Sequence, residues 1–230
     1  MGKLQLSLAC WDYDRVQGLM DGTVTADGID LIFQNLVVEE IFFRMARYRE
    51  FDASEMSMSS YVVSLTKPDP PYIAIPVFPS RFFRHSCIYV NDGAGIQSAQ
   101  DLIGKRVGVP EYQMTAPVWI RGILSEHYGL PADAVTHVTG GLESPGREEK
   151  MRLDLPGNIR IERIGPTQTL SHMLQSGEID ALFTARKPST YDGDRVRRLF
   201  PDYVPVEKRY WQETGHFPIM HLVALRRDVY

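Results

Sequence analysis

The sequence predicts an α/β protein built as two lobes, with a ligand cleft between them. Three observations predict it. Strand and helix signals alternate along all 230 residues. Two breaks rich in glycine or proline punctuate the chain. Three apolar strands each run through polar residues into a helix start. Such alternation produces largely parallel sheets, whose ligands sit at strand carboxyl ends beside helix N-termini. The breaks fall at 91–104, where Asp92-Gly93-Ala94-Gly95 precedes an Asp101-Leu102-Ile103-Gly104 turn, and at 215–218. They divide the chain into a first lobe over 1–90 with 217–230 and a second lobe over 91–216.

The first strand, 4–9, has Leu4, Leu6 and Leu8 at every second position, the pattern of a half-buried strand. A short helix at 15–21 leads to a second strand, 29–34, with Ile29, Leu31 and Phe33 in the same alternation. Over 38–48, Val38, Ile41, Phe42 and Met45 recur at helical spacing. Strand 51–56 opens into a helix at 57–65, and apolar runs at 72–77 and 86–90 read as strands. Further on, strands at 106–109, 136–138, 158–164 and 179–184 alternate with helices at 115–128 and 168–175. A helix at 206–214 and a return strand at 218–225 complete the order. There is no internal repeat and no low-complexity tract.

Composition narrows the function. The formal charge is −4, from 25 basic and 29 acidic residues, and no basic run stands out, which argues against nucleic acid as a partner. No stretch approaches the length of a membrane span. The start of the chain, with Lys3 before a short alternating run, is too polar for a secretory signal and reads as cytoplasmic. Cys10 and Cys87 lie on separate strand-like segments and read as buried free thiols.

The densest chemistry follows the strand at 72–77. Phe78-Pro79-Ser80-Arg81-Phe82-Phe83-Arg84-His85 sets two arginines and a histidine among aromatic rings. Guanidiniums grip carboxylates, rings cover a planar face, and histidine moves protons near neutral pH, a set suited to a flat anionic aromatic molecule. The bland alternative is a loop covered by arginines stacked on phenylalanines.

Three strand ends share one layout. Glu55-Met56-Ser57-Met58-Ser59-Ser60-Tyr61 opens a helix, and three serines exceed what a single N-cap requires. Gly108-Val109-Pro110-Glu111-Tyr112-Gln113-Met114-Thr115 repeats the arrangement, with Thr115 placed for an anion and Tyr112 and Gln113 for a ring or hydroxyl. Cys10-Trp11-Asp12-Tyr13-Asp14-Arg15 is the third; Asp14 reads as a cap, and Trp11 and Asp12 as the residues facing a ligand. Of six histidines, His127, His137 and His172 read as structural or solvated, whereas His85, His216 and His221 fall near the breaks. No H-E-x-x-H, paired C-x-x-C or carboxylate cluster implies a metal, and no G-x-S-x-G elbow or phosphate loop is present.

Together these segments resemble the 4,5-dihydroxyphthalate decarboxylase family, which looks like type II periplasmic binding proteins turned to other uses. The resemblance rests on Asp12-Tyr13-Asp14-Arg15, Glu55-Met56-Ser57 with Ser59-Ser60-Tyr61, Ile75-Pro76-Val77-Phe78-Pro79-Ser80-Arg81 with Phe83-Arg84-His85, and Val107–Thr115. It continues through Gly177-Glu178-Ile179-Asp180-Ala181-Leu182, a run common among solute-binding proteins, and Phe217-Pro218-Ile219-Met220-His221. It spans the whole chain. Trp11 departs from it, standing where a small residue is expected. The resemblance also implies further helices on the first lobe after residue 230. Their absence from this sequence leads one to expect an uncovered apolar face there, or one covered by a partner chain.

The resemblance implies decarboxylation of a hydroxylated aromatic acid. In 4,5-dihydroxyphthalate each carboxylate has a para hydroxyl that can push electrons into the ring, so no electron-sink cofactor is obligatory; a metal requirement stays open, as does homo-oligomerisation. The site then needs a carboxylate clamp, Arg81 and Arg84; a proton donor, His85 or His221; anion cradles at Ser57, Ser59, Ser60 and Thr115; and a phenol acceptor, Glu55 or Glu111. The alternative is a receptor or sensor for a small anionic solute, which needs the cradles and the clamp but no histidine poised against a ring.

Overall fold

The computed structural model describes residues 2–230. Among these residues eleven strands and six α-helices follow one another: β1 (Leu4–Cys10), α1 (Gln17–Met20), β2 (Ile29–Asn35), α2 (Val38–Tyr48), β3 (Ala53–Ser57), α3 (Met58–Ser64), β4 (Tyr72–Arg81), β5 (Ile88–Asn91), β6 (Arg106–Val109), α4 (Thr115–Tyr128), β7 (Thr136–Thr139), β8 (Arg160–Arg163), α5 (Leu170–Ser176), β9 (Ala181–Phe183), β10 (Val196–Arg198), α6 (Tyr203–Thr214) and β11 (Ile219–Arg226). They form two compact units, one running to Arg81 and taking in Ile219–Tyr230, the other Phe82–Pro218. The expected boundary therefore moves. Residues 82–90 belong with the second unit, because β5 pairs with β9 and β10 in that sheet.

The first unit holds a five-stranded sheet in the order β2-β1-β3-β11-β4. β1 runs parallel to β2 and β3, whereas β11 is antiparallel to β3 and β4. The sheet is thus mixed rather than largely parallel, because the chain re-enters it from the opposite end. α2 buries Val38, Ile41, Phe42 and Met45 against Ala9, Phe51, Met56, Tyr72, Leu222 and Ala224. Its outer side is held by Arg44, bonded to Glu40 one turn away and to Glu50. Pro76 and Pro79 are tolerated in β4 because it is an edge strand. Part of this unit's apolar surface stays open: Leu4 is 58% exposed, Ile32 48% and Val77 49%.

The second unit holds a six-stranded sheet in the order β10-β5-β9-β6-β7-β8. β6, β7, β8 and β9 are mutually parallel, while β5 runs antiparallel to both of its neighbours, β9 and β10. α4 presses Ile120 and Leu124 onto Val107, Val109 and Phe183, and α5 packs Leu170, Met173 and Leu174 onto Tyr89, Ile179 and Leu182. Gly108 leaves room for that second cluster, since a Cβ there would sit 2.6 Å from Ile179 Cδ1. His137 is fully buried and bonded through Nε2 to the Ala132 carbonyl at 2.9 Å; His127 and His172 are exposed.

Two elements differ instructively from expectation. β10, a run of Val196-Arg197-Arg198 with little strand character, forms because it completes an edge against β5. α6 starts three residues before the expected 206 because Pro205 falls in its first turn, where the missing N–H costs nothing. Among the described residues no helix is long and apolar enough to cross a membrane.

Candidate active site

In the first unit, the carboxyl end of β3 and the start of β11 bring two titratable side chains together. Register pairs His221 with Ser57 and Val223 with Glu55, so Glu55 and His221 are diagonal neighbours across the two strands. His221 Nδ1–H donates to Glu55 Oε1 at 2.6 Å. The end of β1 closes over the same carboxylate. Tyr13 Oη donates to Oε1 at 2.6 Å, the Trp11 backbone N–H to Oε2 at 3.2 Å, and the Cys10 thiol reaches Oε2 at 3.5 Å.

Glu55 has no exposed surface, and burial alone would push its carboxyl up. The hydrogen bonds and charge of His221, with those of Tyr13 and Trp11, outweigh burial and hold it below the ordinary carboxylate range. Burial and then the Glu55 charge push the Cys10 thiol up to about 12, so it stays protonated. The His221 side chain keeps 18% of its surface exposed, against none for Glu55. With Nδ1 committed to Glu55, Nε2 is the nitrogen left to meet a ligand. Such a carboxylate–histidine couple can hold and deliver a proton, which solute binding does not require.

Other expected residues of this unit lie around it. Ser57, Ser59 and Ser60 are buried at the start of α3, with Ser57 Oγ and Ser59 Oγ 3.1 Å apart. Arg81 is exposed at the end of β4, its guanidinium 5.1 Å from the Phe78 ring centroid, one residue from Ser80, which pairs with His221. Asp12 is exposed and accepts from Gln17, while Trp11 is half-buried against the core.

In the second unit the expected residues are more deeply set. His85 is 1% exposed and ringed by Tyr128, Phe200 and Tyr210 with centroids 5.4–5.9 Å away. Burial pulls its pKa down to about 4, so it is neutral at pH 7. That setting weighs against His85 as the proton donor and favours His221. Arg84 is buried, stacked on Phe82 at 4.8 Å and bonded to the Ala185 carbonyl at 3.4 Å. Phe83 stacks on Phe217 at 4.8 Å, and with Trp211 the two rings line a cavity of about 380 Å³.

Glu111 is also committed. Its carboxylate is 1% exposed and accepts from Arg147 Nε at 2.7 Å, Gln113 Nε2 at 3.1 Å, the Lys150 backbone N–H at 3.3 Å and the Lys150 ammonium. This latches the 142–150 loop to the end of β6 and weighs against Glu111 as the group that receives a phenol hydrogen. Tyr112 sits beneath the Arg121 guanidinium at 3.8 Å and against His137 at 4.9 Å, a packed position rather than an open one. Gln113 and Thr115 are buried. Among the described residues, no three His, Cys, Asp or Glu side chains group as a metal set.

Sequence reasoning gave no site role to Tyr13, Arg147 or Lys150. Tyr13 was legible as part of the Asp12–Arg15 motif. The two cations lie in a loop whose sequence carries no signal of its partner.

Both buried carboxylates give a pH prediction. Burial opposes ionisation of Glu111 too, and Lys150 and Arg147 overcome it, leaving its pKa lowered. Folded values below the ordinary 4.5 mean that both groups contribute stability fully above that pH and lose it as pH falls through their folded values. Urea midpoints are expected to hold above pH 5 and drop below about 4.5, with a shallower acid drop in Glu55→Gln. An equally steep drop in that variant would place the titration elsewhere.

No protein-family model matches the chain. Two curated relatives do. The 4,5-dihydroxyphthalate decarboxylase of Comamonas testosteroni is 45% identical over the full length of this chain and 70% of its own. That of Pseudomonas putida is 52% identical over 88% of this chain and 79% of its own. The chain belongs to the 4,5-dihydroxyphthalate decarboxylase family. Solved structures give this family member a solute-binding-protein fold: the alkanesulfonate-binding protein of Xanthomonas axonopodis pv. citri and the aliphatic sulphonate-binding protein of Escherichia coli each cover 99% of it and 67% of their own chains, with TM-score 0.53 and 11% identity. At that identity the likeness speaks to fold alone.

Proposed function

We propose that this chain decarboxylates 4,5-dihydroxyphthalate in the cytoplasm, as a lyase in the breakdown of aromatic acids. The relatives supply the reaction. The observation that favours an enzyme over a receptor is the buried Glu55 carboxylate holding half-buried His221 by Nδ1. In the proposed step the para hydroxyl pushes electron density into the ring. The ring carbon bearing the departing carboxylate takes a proton from His221 Nε2, the C–C bond breaks, and carbon dioxide leaves. The product is a dihydroxybenzoate, and His221 regains its proton from water. Glu55 stays ionised and stabilises the charged imidazole, so it orients rather than accepts the phenol hydrogen.

Arg81 is assigned to the retained carboxylate because it is exposed and close in register to His221. Ser57, Ser59 and Ser60 remain the proposed anion cradle, and Trp11 and Asp12 the proposed surround of the ring. A charge-assisted contact contributes about 1.5–3 kcal/mol, so Arg81→Met is expected to raise KM roughly ten- to a hundredfold. The assay is carbon dioxide release across a panel of hydroxylated phthalates and benzoates. The penalty should appear with phthalates, which retain a carboxylate after the first loss, and not with monocarboxylic benzoates. An equal penalty for both would remove Arg81 from this role.

A further inference from the structure

The geometry points to Tyr13 as a positioning residue for the Glu55–His221 pair: its phenol donates to the carboxylate oxygen that holds His221, and so fixes both side chains. This rests on the decarboxylase reading and deepens it. Tyr13 Oη and His221 Nδ1 each lie 2.6 Å from Glu55 Oε1. An sp² oxygen has two lone pairs in its own plane, so two donors at once saturate Oε1 and set the rotation of the carboxylate. The Trp11 N–H on Oε2 removes the remaining freedom.

Tyr13 is itself held. The Arg15 guanidinium lies 4.1 Å from its ring centroid, and Arg15 Nε bonds the Pro79 carbonyl at 2.8 Å, tying the ring to the end of β4. Burial, then the Glu55 charge and hydrogen bond, raise the phenol pKa, so Tyr13 remains a donor across the working range. Its hydrogen is spent on Glu55. The residue therefore acts through Glu55 and His221.

The titratable groups facing Glu55 are Cys10 and Tyr13 from the end of β1, with Arg15 behind Tyr13, and His221 from β11. From α2, the Phe42 ring lies 4.8 Å from the His221 ring. Of these, Tyr13 and His221 make the shortest hydrogen bonds to Glu55. Loss of the Tyr13 hydroxyl lets the burial penalty on Glu55 reassert itself and lets the His221 ring turn.

The test is Tyr13→Phe in the whole chain, which keeps the ring and its packing. With 4,5-dihydroxyphthalate, kcat is expected to fall about tenfold at constant KM. The titration midpoint of Glu55, followed by ¹³C NMR of labelled glutamate and assigned with Glu55→Gln, should move to higher pH. In a Glu55→Gln background, Tyr13→Phe should add no further loss. A raised KM at unchanged kcat, an unmoved Glu55 midpoint, or multiplying losses would overturn the proposal. The NMR arm needs no turnover. If the unmodified chain releases no carbon dioxide while the Glu55 midpoint still moves, the decarboxylase reading falls and Tyr13 keeps its positioning of the pair.

Discussion

Replacing His221 by glutamine is expected to lower kcat for 4,5-dihydroxyphthalate by about 10²–10⁴-fold while KM changes by less than about twofold. The reason is where the proton moves. Binding of the dianion depends on cations and helix starts, but protonation of the ring carbon occurs only on the way to the transition state. Glutamine is the informative replacement. Its amide can still donate to Glu55, so the buried carboxylate keeps a partner, but it has no proton to deliver at neutral pH. Alanine would strand a fully buried carboxylate and confound catalysis with folding. Urea unfolding of the glutamine variant should match the unmodified chain within about 1 kcal/mol, which isolates the loss to the chemical step. A variant with full turnover would show that another group is the acid.

The second large effect concerns folding. Glu111→Ala is expected to destabilise the second unit by about 3–5 kcal/mol, because it leaves Lys150, its side chain 9% exposed, and Arg147 around an empty position. The 142–150 loop should then detach, and proteolysis should cut there before the sheet unfolds. Glu111→Gln, which keeps the shape and loses the charge, should fall between. A Glu111→Ala variant with an unchanged urea midpoint and no new cleavage would mean the latch contributes nothing.

Much of the architecture was legible because it follows local rules. The 3.6-residue stripe of Val38, Ile41, Phe42 and Met45 became α2 with its expected bounds, as did α4 over Thr115–Tyr128. Strand direction was not legible. Alternation of strand and helix implies parallel pairing, and nothing local in Ile219–Arg226 says that it inserts antiparallel between β3 and β4. β10 was missed for a related cause: a charged tripeptide becomes a strand only when a partner edge is already there.

At the site, residue types were readable and their company was not. Glu55, His221, Glu111 and His85 all stood out as titratable groups near strand ends. The structure separates them by what surrounds each. His85 meets aromatic rings and is held neutral, and Glu111 meets two cations from a distant loop. Glu55 meets a phenol and an imidazole that retains a path outward. Those partners lie 36 to 166 residues away in sequence, beyond the reach of any motif.

The central claim is that this chain transfers a proton to a ring carbon as carbon dioxide leaves. The direct measurement is incubation with 4,5-dihydroxyphthalate in D₂O, following released carbon dioxide and analysing the product by NMR. The account predicts one carbon dioxide per substrate consumed and one deuterium at the vacated ring position, with both suppressed together in His221→Gln. Tight binding of the dicarboxylate with no carbon dioxide released and no deuterium incorporated would contradict it and make the chain a receptor.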